Sequence, residues 1–306
     1  MSQLPRHPAE GGSAAHVPDS GSESGCGCGC GCGCGCGCGQ GNALRWRQDD
    51  LDLRNRLYGH AGVTRAEGVL LQRYGLGSTD EAFALLKAAS QQFNIKLSTL
   101  ADAVVRTPAP DPDAELWFPG RVRRGPPALP GLPVERGHGT SQGAVVSAAL
   151  QRVLSITQTP MGNVQLSEKG RLRLARHTGL NRYFCDFFAF VDAPTTSCAQ
   201  AAGQRRQVTV RDVESAPVFD EASRHAILQT GSRAAHSVPL VNRLGVPLGM
   251  VSSHHERPLT GFTHAELAAL RQTGSDVGRW LAWHWNTVVL DALEHLHAAA
   301  ARGTHD

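Results

Sequence analysis

The chain has 306 residues, with 30 Lys and Arg against 27 Asp and Glu, for a net charge of +3. That length accommodates about two domains, and the near balance excludes a protein whose partners are chosen by an extreme electrostatic field. Seven of the nine cysteines lie in one alternating run; Cys185 and Cys198 alone are too few for a disulfide scaffold and fit a reducing compartment.

Residues 1–43 form a polar tail containing the repeat Cys26, Cys28, Cys30, Cys32, Cys34, Cys36 and Cys38, with Gly between. In an extended chain, residues two apart lie about 6.5–7 Å apart, near the outer limit for bridging. Alternating thiols suit shared zinc or copper(I). The flanks, however, have almost nothing to bury, and such composition does not offset its ordering entropy. The tail therefore reads as disordered low-complexity sequence, with metal or redox binding by the seven cysteines as the alternative. No cofactor is otherwise expected. The start of the chain lacks the basic and apolar stretches of a signal peptide. The most apolar segment, WLAWHWNTVVLDALEHLHAAAA, carries Asp291, Glu294 and three His, short of the ~20 apolar residues of a membrane span. A cytoplasmic chain without membrane contact is expected.

Residues 44–106 contain no proline and read as helices. NALRWRQDDLDLRNRLY supplies an upstream helix, which Gly59 and Gly62 are expected to interrupt at about 1 kcal/mol each. Ala66, Val69, Leu70 and Tyr74 then recur at helical spacing, with Gly75 as the stop. Ser78 and Glu81 form a capping box for a helix with Ala82, Leu86, Ala89 and Phe93 on one face and Asn94 at its end. Leu97, Leu100, Ala101 and Val104 line a third. Phe83 and Phe93 are expected in the core.

The stretch RAEGVLLQRYGLGSTDEAFALLKAASQQFNIKLSTLADAVV resembles the ANTAR domain, the antitermination-regulator RNA-binding module. The resemblance rests on Ala66 and Gly68; Ala82, Phe83, Leu85 and Leu86; Asn94; Lys96 and Leu97; and Ala101 to Val105. It departs at Glu67, where the family often has a basic residue. The resemblance implies dimeric binding to paired RNA hairpins. The segment carries nine Lys and Arg and seven Asp and Glu, 9 − 7 = +2. Arg65, Arg73, Lys87 and Lys96 are the candidate phosphate contacts, against the alternative that they are ordinary solvated charges. Ala66 and Gly68 complete the candidate RNA site, Gly68 permitting close approach of RNA or of a neighbouring helix.

Residues 107–141 hold eight prolines and the basic RVRRG, and read as a linker. Beyond it, SQGAVVSAALQRVL is an opening helix. GNVQLSEKGRLRLARHTG is a hairpin, with Val164 and Leu166 leading to a turn at 168–170, then Leu172 and Leu174. NRYFCDFFAFV reads as one aromatic helix and RRQVTVRDV as a strand. HSVPLVNRLGVPLGMVSSHH reads as two strands joined at Asn242–Gly245. Thr263 and Glu266 cap a long last helix with Leu267, Leu270, Val277, Leu281, Trp285, Val288 and Leu296 on one face. That face exceeds what one small sheet covers; a parallel dimer would bury the remainder, the alternative being a helix folded back on its own domain.

Residues 142–300 resemble a GAF domain, a small-molecule sensory module, of a bacterial signalling subtype. The matching positions are Cys198-Ala199-Gln200-Ala201, Asp212-Val213, Ser237-Val238-Pro239-Leu240 and Ser252-Ser253-His254. The resemblance implies an antiparallel sheet flanked by helices, with Cys198, Asp212, Ser237 and His254 as candidate ligand contacts. For Cys198 the bland reading is a small buried residue, and for His254 a structural hydrogen bond. Catalytic signatures are absent, so no enzyme is expected. The expected fold is a three-helix ANTAR-like bundle followed by a GAF-like domain. The expected function is a signal-responsive antitermination regulator that binds RNA hairpins and a small molecule as a homodimer. The rivals are a sensory or scaffold protein without nucleic-acid binding, duplex DNA binding through residues 79–105, and a metal or redox protein acting through the repeat.

Overall fold

The computed structural model describes residues 38–111, 114–134, 141–168, 170–192 and 196–303. Of the cysteine repeat, Cys26 to Cys36 lie outside the described residues. Helix α1 runs unbroken from Cys38 to Tyr74, 37 residues or about 55 Å. The interruption expected at Gly59 and Gly62 is absent. Packing explains it: Gly62, Ala66 and Leu70 are buried along this helix, and tertiary burial overrides a propensity cost of about 1 kcal/mol per glycine. Its middle is also clamped from outside. Arg54 Nη2 donates to the Phe187 carbonyl at 2.9 Å, and Asn55 Nδ2 to the Asp186 carbonyl at 3.1 Å. The Arg171 guanidinium lies 4.4 Å from the Tyr58 ring centroid.

Helices α2 (Thr79–Gln92) and α3 (Leu97–Arg106) fold against α1. Ser78 Oγ accepts the Glu81 N–H at 3.2 Å, while the Glu81 carboxylate accepts from Gly77, one residue before the expected position. Ala82, Leu86 and Ala89 are buried. Phe83 is not core as expected: it is 39% exposed, because it lies one position round from the buried Ala82–Leu86–Ala89 stripe.

The second half opens with α4 (Gln142–Thr157) and continues through β1 (Met161–Glu168), β2 (Arg171–Thr178), α5 (Arg182–Phe187), β3 (Phe190–Val191), α6 (Ser197–Gln204), β4 (Val208–Val210), α7 (Glu221–Gln229), β5 (Ala234–Val241) and β6 (Pro247–His255). The strands form one antiparallel sheet in the order β3-β2-β1-β6-β5-β4. The single aromatic helix expected at 181–191 is instead the short α5 followed by the edge strand β3. Phe184 and Phe188 turn into the core, while Phe190 and Val191 pair with β2.

Strand alternation separates two faces. Val164, Leu166, Val238, Leu240 and Val251 join α4 and helix α8 (His264–His284) in one core. Asn163, Gln165, Ser237, Ser252 and His254, at the alternate positions, face the side covered by α5, α6 and α7. Helix α8 begins at a complete Thr263–Glu266 capping box. It presses onto β5 at Gly274 and Gly278, where a Cβ would overlap the Pro239 and Val241 carbonyls.

After α8 come one π-helical turn, Trp285–Val289, and helix α9 (Leu290–Gly303). Here the chain departs most from expectation. Val289, Ala292, Leu293 and Leu296 are fully buried in the same core as Leu70, Leu86 and Leu100 of the bundle. Earlier in the helix, Leu270, Val277 and Leu281 belong to the sheet core. The apolar face read as a dimer seam is therefore consumed within the chain: the helix folds back, onto the bundle.

The proline-rich segment straps this junction. Trp117 and Phe118 donate their backbone N–H groups to the Glu294 carboxylate at 2.8 and 3.0 Å. Trp283 Nε1 donates to the Arg124 carbonyl at 2.6 Å. Arg121 pairs with Asp291 and donates to the Asn286 carbonyl at 3.1 Å, in the π turn, where the regular α-helical ladder is shifted.

Candidate functional site

The polar face of the sheet encloses a small cavity against α5 and α6, about 20 Å³ in volume, lined by Asn163, Gln165, Phe184, Phe188, Cys198, Ser252 and His254 among others. That is room for about one water molecule. Gln165, 1% exposed, donates from Nε2 to the Phe188 carbonyl at 3.2 Å, while its Oε1 has no partner among the described residues. The His254 ring is held at both nitrogens. Nε2 lies 3.1 Å from Asn163 Oδ1, and Nδ1 lies 3.1 Å from Ser232 Oγ, a hydroxyl also 3.1 Å from the Ala234 carbonyl. Phe184 meets this ring edge-on at 5.0 Å. Burial, and secondarily the neighbouring His255, push the His254 pKa down to about 3, so the imidazole is neutral.

The four sequence-derived contacts separate here. Cys198 and His254 both line the cavity. The Cys198 sulfur sits 3.0 Å from Thr196 Oγ1, and burial pushes its thiol pKa up, against thiolate chemistry. Ser237 lies behind the cavity in a hydroxyl chain, 3.2 Å from Ser197 and 2.9 Å from Ser252. Asp212 does not line it: its carboxylate accepts from the Glu214 N–H at 3.1 Å and faces Arg233 at 3.4 Å. Ser252 stands in the matching stretch Ser252-Ser253-His254 without being named a contact, while Asn163 and Gln165 are not singled out in the sequence at all. Their only signal is polarity at inward strand positions. His236, also missed, is fully buried between Thr209 and Gln207, at 2.8 Å each.

On the bundle, Arg65 and Lys87 are exposed. Lys87 lies one helical turn from Phe83, so a cation and an exposed aromatic share one face of α2. Lys96 precedes α3; desolvation, then the charge of Arg173, lower its pKa, against Glu168, which raises it. Arg73 is half-buried, its guanidinium 4.8 Å from the Trp117 ring centroid. Ala66 is fully buried and belongs to the core rather than to a surface. Gly68 is exposed, and a Cβ there would meet nothing within 4 Å, so no helix among the described residues uses the close approach it permits.

A sheet with an internal polar cavity, tied through its last helix to a small helical bundle, defines a two-module protein. Family models place the modules: an ANTAR domain matches residues 51–105 and a GAF domain residues 139–282. The chain thus carries an ANTAR domain followed by a GAF domain, in that order. No curated protein matches it. Among solved structures it is similar to the GAF domain/HD domain protein from Geobacter sulfurreducens, at 21% identity, covering 49% of this chain and 98% of that one, TM-score 0.41. It is similar also to the domain of a two-component sensor histidine kinase protein from Sinorhizobium meliloti 1021, at 19% identity, covering 45% and 89%, TM-score 0.39. A third is free methionine-R-sulfoxide reductase from Neisseria meningitidis, at 17% identity, covering 47% and 81%, TM-score 0.36. Among the described residues no helix is long and apolar enough to cross a membrane, and no group of three His, Cys, Asp or Glu is placed to hold a metal ion.

Proposed function

We propose that this chain is a cytoplasmic, signal-responsive antitermination regulator, whose ANTAR domain binds RNA hairpins and whose GAF domain senses a small molecule. The observation that carries the regulated part is the shared core. Helix α9 leaves the GAF sheet and supplies Leu293 and Leu296 to the ANTAR bundle, so a shift of the sheet's last helix has a packed route to the RNA module. Arg65 and Lys87 supply phosphate contacts, and Phe83 offers a ring on which an unpaired loop base can stack beside Lys87. Lys96, at the start of α3, adds a third cation, and Arg73 is withdrawn against the Trp117 ring. The GAF cavity takes a ligand that donates to Gln165 Oε1, which requires Phe184 and Phe188 to move aside.

A homodimer fits a two-hairpin target through effective concentration. Its seam is assigned to α1, where Leu53 and Leu57 are 54% and 61% exposed and continue at three- and four-residue steps through Ala61, Thr64 and Gly68. RNA selection from a transcriptome tests the reading. The wild-type chain should enrich paired hairpins, and the Arg65→Ala/Lys87→Ala double variant should not. Equal enrichment by both, or none by either, would leave the scaffold reading.

A further inference from the structure

Strand β2 carries Arg171, Arg173 and Arg176, and the three are not used alike. Arg171 is paired with Asp192 at 3.1 Å, and Arg173 with Glu168 through two bonds of 2.6 Å. Arg176 is exposed and forms no salt bridge among the described residues. A β-bulge sets its direction. The ladder register shifts between Val164 and Gln165, so that Arg173 pairs with Leu166 and Arg176 with Val164. Leu166 and Val164 both point into the core beneath α4, and directly opposed residues share a face. The bulge thus turns Arg176 to the α4 side, where strict alternation from Arg173 would have sent it to the other. There it borders an open groove of about 430 Å³ between α4 and β2. Leu150, Leu154 and Ala175 give the groove an apolar floor, and Gln151 and Thr178 stand exposed beside Arg176. Strand β3 pairs only with Leu172 and Arg173, so no strand among the described residues closes this edge.

The same guanidinium reaches the ANTAR domain. Lys96 is exposed at the start of α3. One turn on, Thr99 shares a cleft with Glu168, which puts the start of α3 at this hairpin. Lys96 also feels the hairpin's charges: desolvation, then Arg173, lower its pKa, Glu168 raises it, and Arg176 lowers it again. Glu168 is already taken by Arg173. Lys96 and Arg176, cations of two different domains, are therefore held near one another with no carboxylate of their own, an arrangement that like charges disfavour and a bound anion relieves. An extended anion with flat apolar faces fits. A channel between one helix and the strand beside it admits a single nucleic-acid strand and not a duplex. Its basic side takes phosphates, its apolar floor takes base faces, and the amide and hydroxyl take base edges or the ribose 2′-OH. An acidic peptide would leave the floor uncovered. We propose that this groove takes the single strand of RNA that continues from a hairpin held by the ANTAR domain, with Lys96 and Arg176 on its phosphates and its bases over Leu154 and Ala175. This rests on the RNA reading of the ANTAR domain and makes the GAF sheet a direct part of the RNA surface. The GAF cavity lies on the other face of the same hairpin, where Asn163 and Gln165 alternate with Val164.

The test uses the full chain and a two-hairpin RNA from the wild-type enrichment. The RNA is either blunt or carries a tail of about eight uridines at one end or the other, within the site size of a single-strand groove. For the wild type, one of the two tails should raise affinity about tenfold in low salt, and the gain should shrink as salt rises. Arg176→Gln should bind the blunt RNA as the wild type does and lose the gain. That arginine is exposed, so the variant should keep the wild-type thermal midpoint. Arg211→Gln, which removes an exposed arginine beside β4 at the opposite edge of the sheet, should keep the gain. A tail carrying 4-thiouridine should crosslink to the peptide spanning 171–178. The proposal is overturned if neither tail adds affinity or if Arg176→Gln keeps the gain. It is overturned also if polyglutamate displaces the tail as well as oligouridylate does, which would mark a site for acidic protein. Those outcomes leave binding of the blunt RNA, and with it the RNA reading, intact; a wild type that enriches and binds no hairpin would sink both.

Discussion

Replacing Leu293 by Ala tests whether α9 is a working part of the ANTAR bundle. The side chain is fully buried, in one core with Leu70, Leu86 and Leu100. A Leu→Ala change at such a site costs about 3–5 kcal/mol, the upper end applying where neighbours cannot collapse into the gap. Here they are held from two sides: Trp117 packs on the same core, and its strap is fixed by the Glu294 carboxylate. The sheet core formed by Val164, Val238, Val251 and Val277 does not include Leu293. The loss should therefore fall unevenly. Hydrogen exchange followed by mass spectrometry should show α2 and α3 losing about two to four orders of magnitude of protection, with β1, β5 and β6 much less affected. Unchanged protection in α2 and α3 would refute the shared core, and with it the proposed route from sensor to RNA module.

Two further outcomes follow from burial. His254, His236 and His284 are neutral in the fold, with pKa values lowered by burial to about 3, 4 and 4, against about 6.5 when unfolded. The unfolded chain thus binds more protons below pH 6.5. Stability is fully present above that value and falls as pH drops toward the folded pKa values, by roughly 3 kcal/mol in all between pH 6.5 and 5.5. Urea midpoints at pH 7.5, 6.5 and 5.5 measure this, and a flat profile would show that these rings are not held neutral. Leu57→Glu, on the exposed face of α1, should give a folded monomer by sedimentation. Leu281→Glu, inside the sheet core, should abolish cooperative unfolding instead; a folded monomer from Leu281→Glu would restore the last helix as the dimer seam.

Local signals were the legible ones. The Thr263–Glu266 box, the alternation of Val164 and Leu166 with Leu172, and the stops at Gly75 and Asn94, both with positive φ, depend on a few adjacent residues. The unbroken α1 was not legible, because the cost at Gly59 and Gly62 is local while the burial that offsets it comes from distant elements. The apolar face of the last helix shows that something covers it; a second copy and the ANTAR bundle satisfy the same pattern. The candidate sites were harder still. Gln165 and His254 stand 89 positions apart in sequence, and only the pairing of β1 with β6 brings them to one cavity.

The central claim is that the exposed cations of the ANTAR domain hold RNA. Titration of a two-hairpin RNA at several salt concentrations, with duplex DNA beside it, tests it most directly. With Arg65 and Lys87 as the main phosphate contacts in each domain and Lys96 as a third cation, two domains on two hairpins neutralise about four to six phosphates, for a slope of log affinity against log salt of about −4. The Arg65→Ala/Lys87→Ala variant should lose most of that slope, and duplex DNA should bind more weakly than the RNA. An affinity that ignores salt, or that is the same for RNA, DNA and the double variant, would contradict the account.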